Sequence, residues 1–191
     1  MTSCHVDLDF ALNPLDWCKK DGMAIIRPLR GITPTFGTNC FLAETAVVVG
    51  EVVMGDNCTV WYNAVVRGDV HSITIGNNTN IQDGAIIHCT YQKAKVTIGS
   101  NVSIAHGAVV HGCTIADNVL IGMGAIIMDG AEVGENSVIA AGAVVLAGTV
   151  VESGSIYAGM PARKVKIIGE EMKETIRRTA MNYPMYADWY K

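Results

Sequence analysis

The chain has 191 residues, a formal net charge of −4 and only 17% charged residues. This length predicts one domain, or one domain with an appendage. The mild charge argues against a nucleic-acid partner and gives no strong attraction to a membrane surface. The sequence shows no cationic and apolar secretion signal at its start and no apolar run of membrane-spanning length. We therefore expect a cytoplasmic protein.

Six cysteines form no CxxC motif or other close pair, which favours reduced, buried thiols over disulfides. They are Cys4, Cys18, Cys40, Cys58, Cys89 and Cys113. Residues 1–22 have mixed polarity and contain Pro14 and Gly22, which predicts an extension before the domain proper. Short strand signals follow from Met23 to about Phe41, broken by prolines and glycines. We expect the main domain to span residues 23–168.

A hexapeptide repeat dominates the sequence from about Thr45 to Ala158. A period of six fits neither an α-helix nor a simple strand, and it is the mark of a parallel β-helix. Each unit forms one short strand and one corner, and three units make a coil of about 18 residues. The sequence therefore predicts an all-β solenoid whose branched residues fill the interior. The longest unbroken series is Ile115, Ile121, Ile127, Val133, Ile139, Val145 and Val151.

The phase of the repeat slips at three places. The step is nine residues from Val66 to Ile75, eleven from Ile87 to Ile98, and five from Val110 to Ile115. Slips in a solenoid correspond to loops or bulged corners on one face, which is often the binding face. Two of these slips bracket the histidines of the repeat.

The repeat ends with the segment from Tyr157 to Pro161. Residues 170–178 then combine helix formers with opposite charges at helical spacing, which predicts a C-terminal helix over 169–191. Pro184 is the candidate position for a break in this helix. The helix is expected to pack along the solenoid or to cap it, because solenoid ends need covering.

Three histidines stand inside the repeat. His88 and His111 each follow an inward residue directly, and His106 comes two residues after Ile104. His88 and His106 are 18 residues apart, so we expect their backbones to stack at about the ~4.8 Å strand spacing. Stacked side chains point the same way and converge poorly, so a third ligand from across a subunit interface would complete a site. Three neutral imidazoles with one open position are the catalytic arrangement of zinc.

Several separated motifs in this region resemble those of the γ-class carbonic anhydrases. The resemblance runs from about Gly31 to Pro161, and its specific part is residues 67–123. The motifs are Arg67-Gly68-Asp69, Asn80-Ile81-Gln82-Asp83, His88, Asn101-Val102-Ser103-Ile104-Ala105-His106-Gly107, His111-Gly112 and Ile121-Gly122-Met123.

The resemblance implies a left-handed parallel β-helix with a C-terminal α-helix, although parallel crossovers are normally right-handed. It also implies a homotrimer with a divalent metal at each subunit interface. The ligands matching His88 and His111 come from one subunit and the ligand matching His106 from the next. Zinc is the expected metal, with iron and cobalt as alternatives, since imidazoles suit all three.

The resemblance assigns roles to further residues. It implies that Arg67 and Asp69 form ion pairs between subunits, although an exposed pair of little energetic value is the alternative. It implies that Gln82 holds the metal-bound water or hydroxide, against a corner residue that bonds to the backbone. Asn80 and Asp83 are expected to support the ligands or the subunit interface. Tyr183 matches a tyrosine that reaches the site, with helix packing as the alternative.

The implied activity is the reversible hydration of carbon dioxide, a small-molecule substrate, by a metal-bound hydroxide. One departure matters: residues 89–105 contain no Asp or Glu, whereas some family members carry an acidic proton-shuttle loop there. We expect turnover to be modest. Three alternatives stay open: a metal-dependent thioester hydrolase, a non-catalytic assembly subunit, and a coenzyme A acyltransferase, whose characteristic ending matches residues 158–165.

Overall fold

The structure, a computed structural model, describes residues 24–190. The predicted N-terminal extension, residues 1–22, lies outside this range, as do Cys4 and Cys18. Within the described range the chain winds into a parallel β-helix of about seven turns followed by one C-terminal helix, which confirms the left-handed parallel β-helix expected. The four cysteines of this range, Cys40, Cys58, Cys89 and Cys113, are free thiols. Among residues 24–190, no helix has the length and apolar character needed to cross a membrane.

Three faces of short strands enclose the interior. Two long strands, β4 (Val47–Met54) and β6 (Val65–Ile75), bend around one edge and belong to the first and second faces. The first face also contains β1 (Ile25–Arg27), β8 (Ile86–His88), β11 (Val109–His111), β14 (Ile126–Ile127) and β17 (Val144–Val145). The second face also contains β2 (Thr35–Phe36), β9 (Val96–Ile98), β12 (Thr114–Ile115), β15 (Glu132–Val133) and β18 (Val150–Val151).

The third face is a separate sheet of eight strands. Its neighbours pair in parallel except at its C-terminal end, where β19 and β20 are antiparallel. The strands are β3 (Phe41–Leu42), β5 (Thr59–Val60), β7 (Asn80–Ile81), β10 (Ser103–Ile104), β13 (Leu120–Ile121), β16 (Val138–Ile139), β19 (Ser155–Ala158) and β20 (Arg163–Ile167).

The core is the column of branched residues that the six-residue period predicts. Each coil pairs in register with the next, so Val66, Ile87 and Val110 lie above one another on the first face. Burying one such side chain stabilises the fold by roughly 1.5–3 kcal/mol. The isoleucines at these inward positions are at most 2% exposed; they are Ile75, Ile81, Ile87, Ile98, Ile104, Ile115, Ile121, Ile127 and Ile139.

A ladder of asparagines at one edge records the length of each coil. Each side-chain amide donates a hydrogen bond to the carbonyl oxygen of its neighbour, and the successive steps are 18, 21, 23 and 17 residues. The ladder residues have φ between 53° and 57°, a left-handed conformation that Asn tolerates. The two long coils and the short coil contain the three phase slips, as expected. The ladder consists of Asn39, Asn57, Asn78, Asn101 and Asn118.

The expectation that His88 stacks on His106 is wrong. The coil that follows His88 contains 23 residues, so His88 pairs with His111 instead. The extra residues form a tight turn from Thr90 to Ala94, closed by backbone hydrogen bonds between these two residues. His106 lies between β10 and β11, at the edge between the third and first faces.

The C-terminal helix α1 (Glu170–Asp188) packs along the third face, as one of the two expected arrangements. Its side chain Ile176 packs with Val138 and Ile168. Pro184 does not break the helix. Proline removes one backbone hydrogen bond, but the buried residues Ala180 and Ala187 hold the helix against the solenoid on both sides of it.

We expect Ile115→Ala to lower the free energy of unfolding by about 2–5 kcal/mol, because it leaves a cavity in the core. Ile115 is 1% exposed, whereas Ile167, on the edge strand β20, is 73% exposed. Urea denaturation of both alanine variants is the measurement. The control Ile167→Ala should change stability by less than about 0.5 kcal/mol; equal losses for both variants would contradict the inward ladder.

Candidate metal centre

Two groups of polar side chains lie at opposite ends of the first-face strands. The paired-histidine group lies at the edge between the first and second faces, within β6, at the last residues of β8 and β11 and just after β14, and it consists of Arg67, Asp69, His88, His111 and Asp129. The single-histidine group precedes the same face, at its edge with the third face, and consists of Asn80, Gln82, Asp83 and His106. The β-helix therefore holds the two groups apart within one chain.

Each histidine of the paired-histidine group is held by its own aspartate. Nε2 of His88 lies 3.0 Å from Oδ1 of Asp69, and Nδ1 of His111 lies 2.5 Å from Oδ1 of Asp129. A carboxylate only accepts hydrogen bonds, so we assign the protons to these two ring nitrogens. The other nitrogen of each ring, Nδ1 of His88 and Nε2 of His111, then keeps its lone pair.

These two lone-pair nitrogens face each other at 3.1 Å. Two acceptors at this distance need a cation between them, either a proton or a metal ion. Zinc binds imidazole at ~2.0–2.1 Å, and the edge of such a tetrahedron is about 3.4 Å long. The observed separation is within a few tenths of an ångström of that edge, so the pair fits two ligands of one divalent metal.

The electrostatics favour the ionised aspartates that this arrangement needs. Partial burial opposes ionisation of Asp69, but the hydrogen bonds from Arg67 and His88 outweigh it and hold the pKa of Asp69 below its usual value. Burial likewise opposes ionisation of Asp129, and the hydrogen bonds from Thr90 and His111 lower the pKa of Asp129 overall. Both carboxylates are therefore ready acceptors near neutral pH.

The single-histidine group presents one further imidazole. Nδ1 of His106 lies 2.8 Å from Oδ2 of Asp83, which leaves Nε2 of His106 with its lone pair on a half-exposed side chain. Nε2 of Gln82 donates to Oδ1 of Asn80 at 2.9 Å, and Nδ2 of Asn80 donates to Oγ of Ser103 at 2.8 Å. The side chain of Gln82 is thus anchored by other side chains beside His106.

The position of Tyr183 is compatible with both of its expected roles. Its ring packs edge-on against Trp61, with the centroids 5.5 Å apart, as helix packing predicts. Burial raises the pKa of Tyr183 to about 12, and the negative charge of Asp83 adds to this shift. The phenol therefore stays protonated and lies close enough to the single-histidine group to feel the charge of Asp83.

Arg67 and Asp69 contact each other within the chain. Nη1 of Arg67 donates to Oδ2 of Asp69 at 2.5 Å, while the arginine side chain stays 44% exposed. Asp69 holds His88 through its other oxygen. The structure thus gives Asp69 an intrachain role that the sequence analysis does not predict, and a contact between subunits stays a prediction.

Neither Asp129 nor its partner Thr90 is among the site residues predicted from the sequence. A weak signal was present, because Asp129 follows His111 by 18 residues, one more than the 17-residue step that pairs Val110 with Ile127. Asp129 therefore lies over Gly112, and its side chain reaches the neighbouring His111. Among residues 24–190, no three His, Cys, Asp or Glu side chains converge on one point within the chain.

Comparisons with known proteins identify relatives of this chain. A family profile described as bacterial transferase hexapeptide (six repeats) matches residues 112–147. A carbonic anhydrase of Geobacillus kaustophilus is 38% identical over 167 residues, which cover 87% of this chain and 91% of that protein. The mitochondrial gamma carbonic anhydrase 2 of Arabidopsis thaliana is 38% identical over 156 residues, covering 79% of this chain and 56% of that protein.

A solved structure from Anaplasma phagocytophilum, titled a hexapeptide transferase family protein, has the same fold. Its TM-score is 0.84 at 36% identity, with 87% of this chain and 98% of that chain covered. The chain belongs to the γ-class carbonic anhydrase-like family of hexapeptide-repeat proteins.

We expect the phenol of Tyr183 to titrate at a higher pH in the folded chain than in the unfolded chain, where a tyrosine titrates at about 10. Because burial raises the folded pKa to about 12, the stability from the neutral phenol is present below pH ~10 and is lost as pH rises through 12. The difference in phenolate absorbance between the wild type and Tyr183→Phe, followed against pH, measures this. A midpoint near 10 in the folded protein would refute the burial of this phenol.

Proposed function

We propose that the chain is one subunit of a metal-dependent carbonic anhydrase-like enzyme that hydrates carbon dioxide reversibly. The site is formed by the paired-histidine group of one subunit and the single-histidine group of the next. The observation that carries this proposal is the distance of 3.1 Å between Nδ1 of His88 and Nε2 of His111, with each ring bonded through its other nitrogen to a separate aspartate.

The separation of the two groups supports a shared site. Each group lies at one end of the first face, so a neighbouring subunit can present its single-histidine group to the paired-histidine group of this chain. A contact of this head-to-tail kind closes into a ring, and three subunits give a homotrimer with three equal sites. An apolar column between the groups supports a subunit contact, because its members Ile86 and Ile126 are 43% and 38% exposed.

His88, His111 and His106 of the partner subunit would hold the metal. Zinc is the expected ion, with iron and cobalt as alternatives. When bound, a divalent metal with three imidazole ligands lowers the pKa of a coordinated water toward ~7 and so supplies the nucleophile for carbon dioxide.

The chain's own residues orient the reactants. Gln82 directly precedes Asp83, the partner of His106, and its amide is fixed by Asn80, so we expect it to hydrogen-bond to the attacking water and hold it in one direction. Asp69 and Asp83 keep His88 and His106 in the tautomers that direct a lone pair outward. Residues 89–105 contain no carboxylate to carry the released proton away, so we expect buffer to carry it.

A coenzyme A acyltransferase is the second candidate, because the matching family profile and the Anaplasma structure both carry transferase names. Such a reaction needs one histidine as a general base. It does not need two imidazole nitrogens that face each other or a third histidine from another subunit. The metal content of the protein therefore separates the two candidates.

A complementation experiment tests the shared site. We expect His88→Ala and His106→Ala homotrimers each to lose most of their zinc, because two imidazoles hold the ion far more weakly than three. After the two variants are unfolded and refolded together, about a quarter of the sites should be restored, since each mixed trimer contains one intact pair of groups. Elemental analysis and sedimentation equilibrium are the measurements.

The matched control is the mixture of His88→Ala with His111→Ala. Both substitutions damage the same group, so no mixed trimer regains an intact site and zinc should stay low. A monomeric protein with full zinc content would contradict the shared site, as would zinc recovery in the control mixture.

The second test of the proposal concerns rate. We expect modest hydration activity limited by proton transfer, so added imidazole buffer should raise turnover of the metal-replete protein. Gln82→Leu should lower the rate by roughly tenfold to a hundredfold without loss of metal, because it removes an orienting hydrogen bond and no ligand. Stopped-flow assays with zinc and then ferrous iron measure both effects. A metal-replete trimer without activity above buffer would contradict carbon dioxide hydration and would favour the thioester hydrolase or the non-catalytic subunit.

A further inference from the structure

Asp129 has contacts that neither the family resemblance nor the sequence pattern explains. We propose that Asp129 is a positioning residue that fixes the tautomer and ring orientation of His111, and that Thr90 locks Asp129 in place. This inference rests on the proposed metal site, since it concerns how one ligand is aimed.

Asp129 contacts the candidate ligand His111 directly. Oδ1 of Asp129 lies 2.5 Å from Nδ1 of His111. The proton therefore stays on Nδ1, and Nε2, the nitrogen that faces His88, keeps its lone pair. A histidine without such a partner populates both tautomers, and only one of them offers a lone pair in this direction.

Thr90 holds the carboxylate of Asp129 in place. The hydroxyl of Thr90 donates a hydrogen bond to Oδ2, the oxygen of Asp129 that His111 does not use. Both oxygens are thus engaged, so the carboxylate cannot rotate away from the imidazole. Thr90 is the first residue of the tight turn from Thr90 to Ala94, which contains the extra residues of the 23-residue coil.

Gly112 leaves the space that the carboxylate of Asp129 occupies. A Cβ atom at Gly112 would lie 2.5 Å from Oδ1 of Asp129 and 2.8 Å from Cβ of Ala94. Gly112 also has φ of +53°, which a larger residue rarely adopts. The residue after His111 must therefore be small for Asp129 to reach the ring. Two separate segments, the turn from Thr90 to Ala94 and the pair His111-Gly112, are thus shaped around this one carboxylate.

The arrangement parallels the partner of His88. Asp69 uses one oxygen for His88 and the other for the guanidinium of Arg67. Asp129 uses one oxygen for His111 and the other for the hydroxyl of Thr90. Each ligand of the pair thus has a carboxylate with a second anchor, and the two anchors come from different parts of the chain.

The experiment uses the full chain with Asp129→Ala, Asp129→Asn and, as a matched control, Glu132→Ala. Zinc affinity is measured by competition with a chromophoric chelator, and the His111 tautomer by ¹⁵N NMR of the metal-free protein. Asp129→Ala should weaken zinc binding about 10- to 100-fold. In the same variant, Nδ1–H of His111 should give way to a mixture with Nε2–H. Asp129→Asn should recover part of the affinity, because its amide oxygen still accepts from Nδ1–H.

The control should bind zinc within about twofold of wild type, since Glu132 is exposed on the second face. Wild-type affinity and tautomer in Asp129→Ala would overturn the inference while leaving the proposed function in place. A wild type that binds neither zinc, cobalt nor ferrous iron, with a tautomer change in Asp129→Ala, would overturn the proposed function and retain the positioning role.

If Asp129→Ala does not fold, Thr90→Val tests the positioning role of Asp129 instead. It keeps the carboxylate and removes only the clamp, so zinc affinity should fall roughly threefold to tenfold, the effect of one hydrogen bond. Thr114→Val, an exposed threonine on β12, is its control and should leave the affinity unchanged. Equal affinities for the two valine variants would overturn the role of Thr90 and with it the clamp.

Discussion

In-register stacking of the coils is the constraint on which the rest of the structure depends. Each short strand forms its backbone hydrogen bonds with the coils before and after it, and an inward side chain fills the interior at every step. A shift by one residue would turn the whole inward column outward. Extra residues are therefore accommodated at the edges. In β6 they form an irregularity opposite Gly50 and Val52, where the strand bends from the first face to the second, and the longest excess forms the turn from Thr90 to Ala94 beside His88.

This constraint explains why the candidate ligands are oriented before any metal arrives. His88 and His111 leave the ends of two neighbouring strands in register, so their rings lie 5.1 Å apart between centroids. Each ring is turned by a carboxylate of its own, and Asp83 does the same for His106. A rigid prism with aspartate partners reduces the conformational entropy that metal binding would otherwise cost.

The turn from Thr90 to Ala94 takes the place where some relatives carry acidic residues. Here it contains no carboxylate, and its first residue clamps Asp129. The same segment that lacks a proton carrier thus supports ligand orientation. Hexapeptide folds serve transferases and carbonic anhydrases alike, because the prism is common and the chemistry resides in side chains at its edges. The edge residues of this chain fit metal binding better than a single general base.

The period of six by itself determined the solenoid, because it is a local pattern that each coil repeats. The phase slips likewise predicted where the solenoid departs from its regular coil, and the coils of 21, 23 and 17 residues lie at those places. Their positions in the repeat singled out the three histidines, the motif resemblance implied their roles, and local charge spacing predicted the helix after Gly169.

Only the tertiary structure decided which of these residues meet. The sequence spacing of 18 residues pairs His88 with His106, but the turn adds residues and brings His88 to His111 instead. Asp129 follows His111 by 18 residues, but the slip between them pairs Val110 with Ile127, 17 residues on, so Asp129 lies over Gly112 and reaches His111 with its side chain. Helix continuity through Pro184 was also undecided, since it depends on burial of Ala180 and Ala187 against the third face. The number of residues between two positions predicts whether they meet only when the length of every corner between them is known.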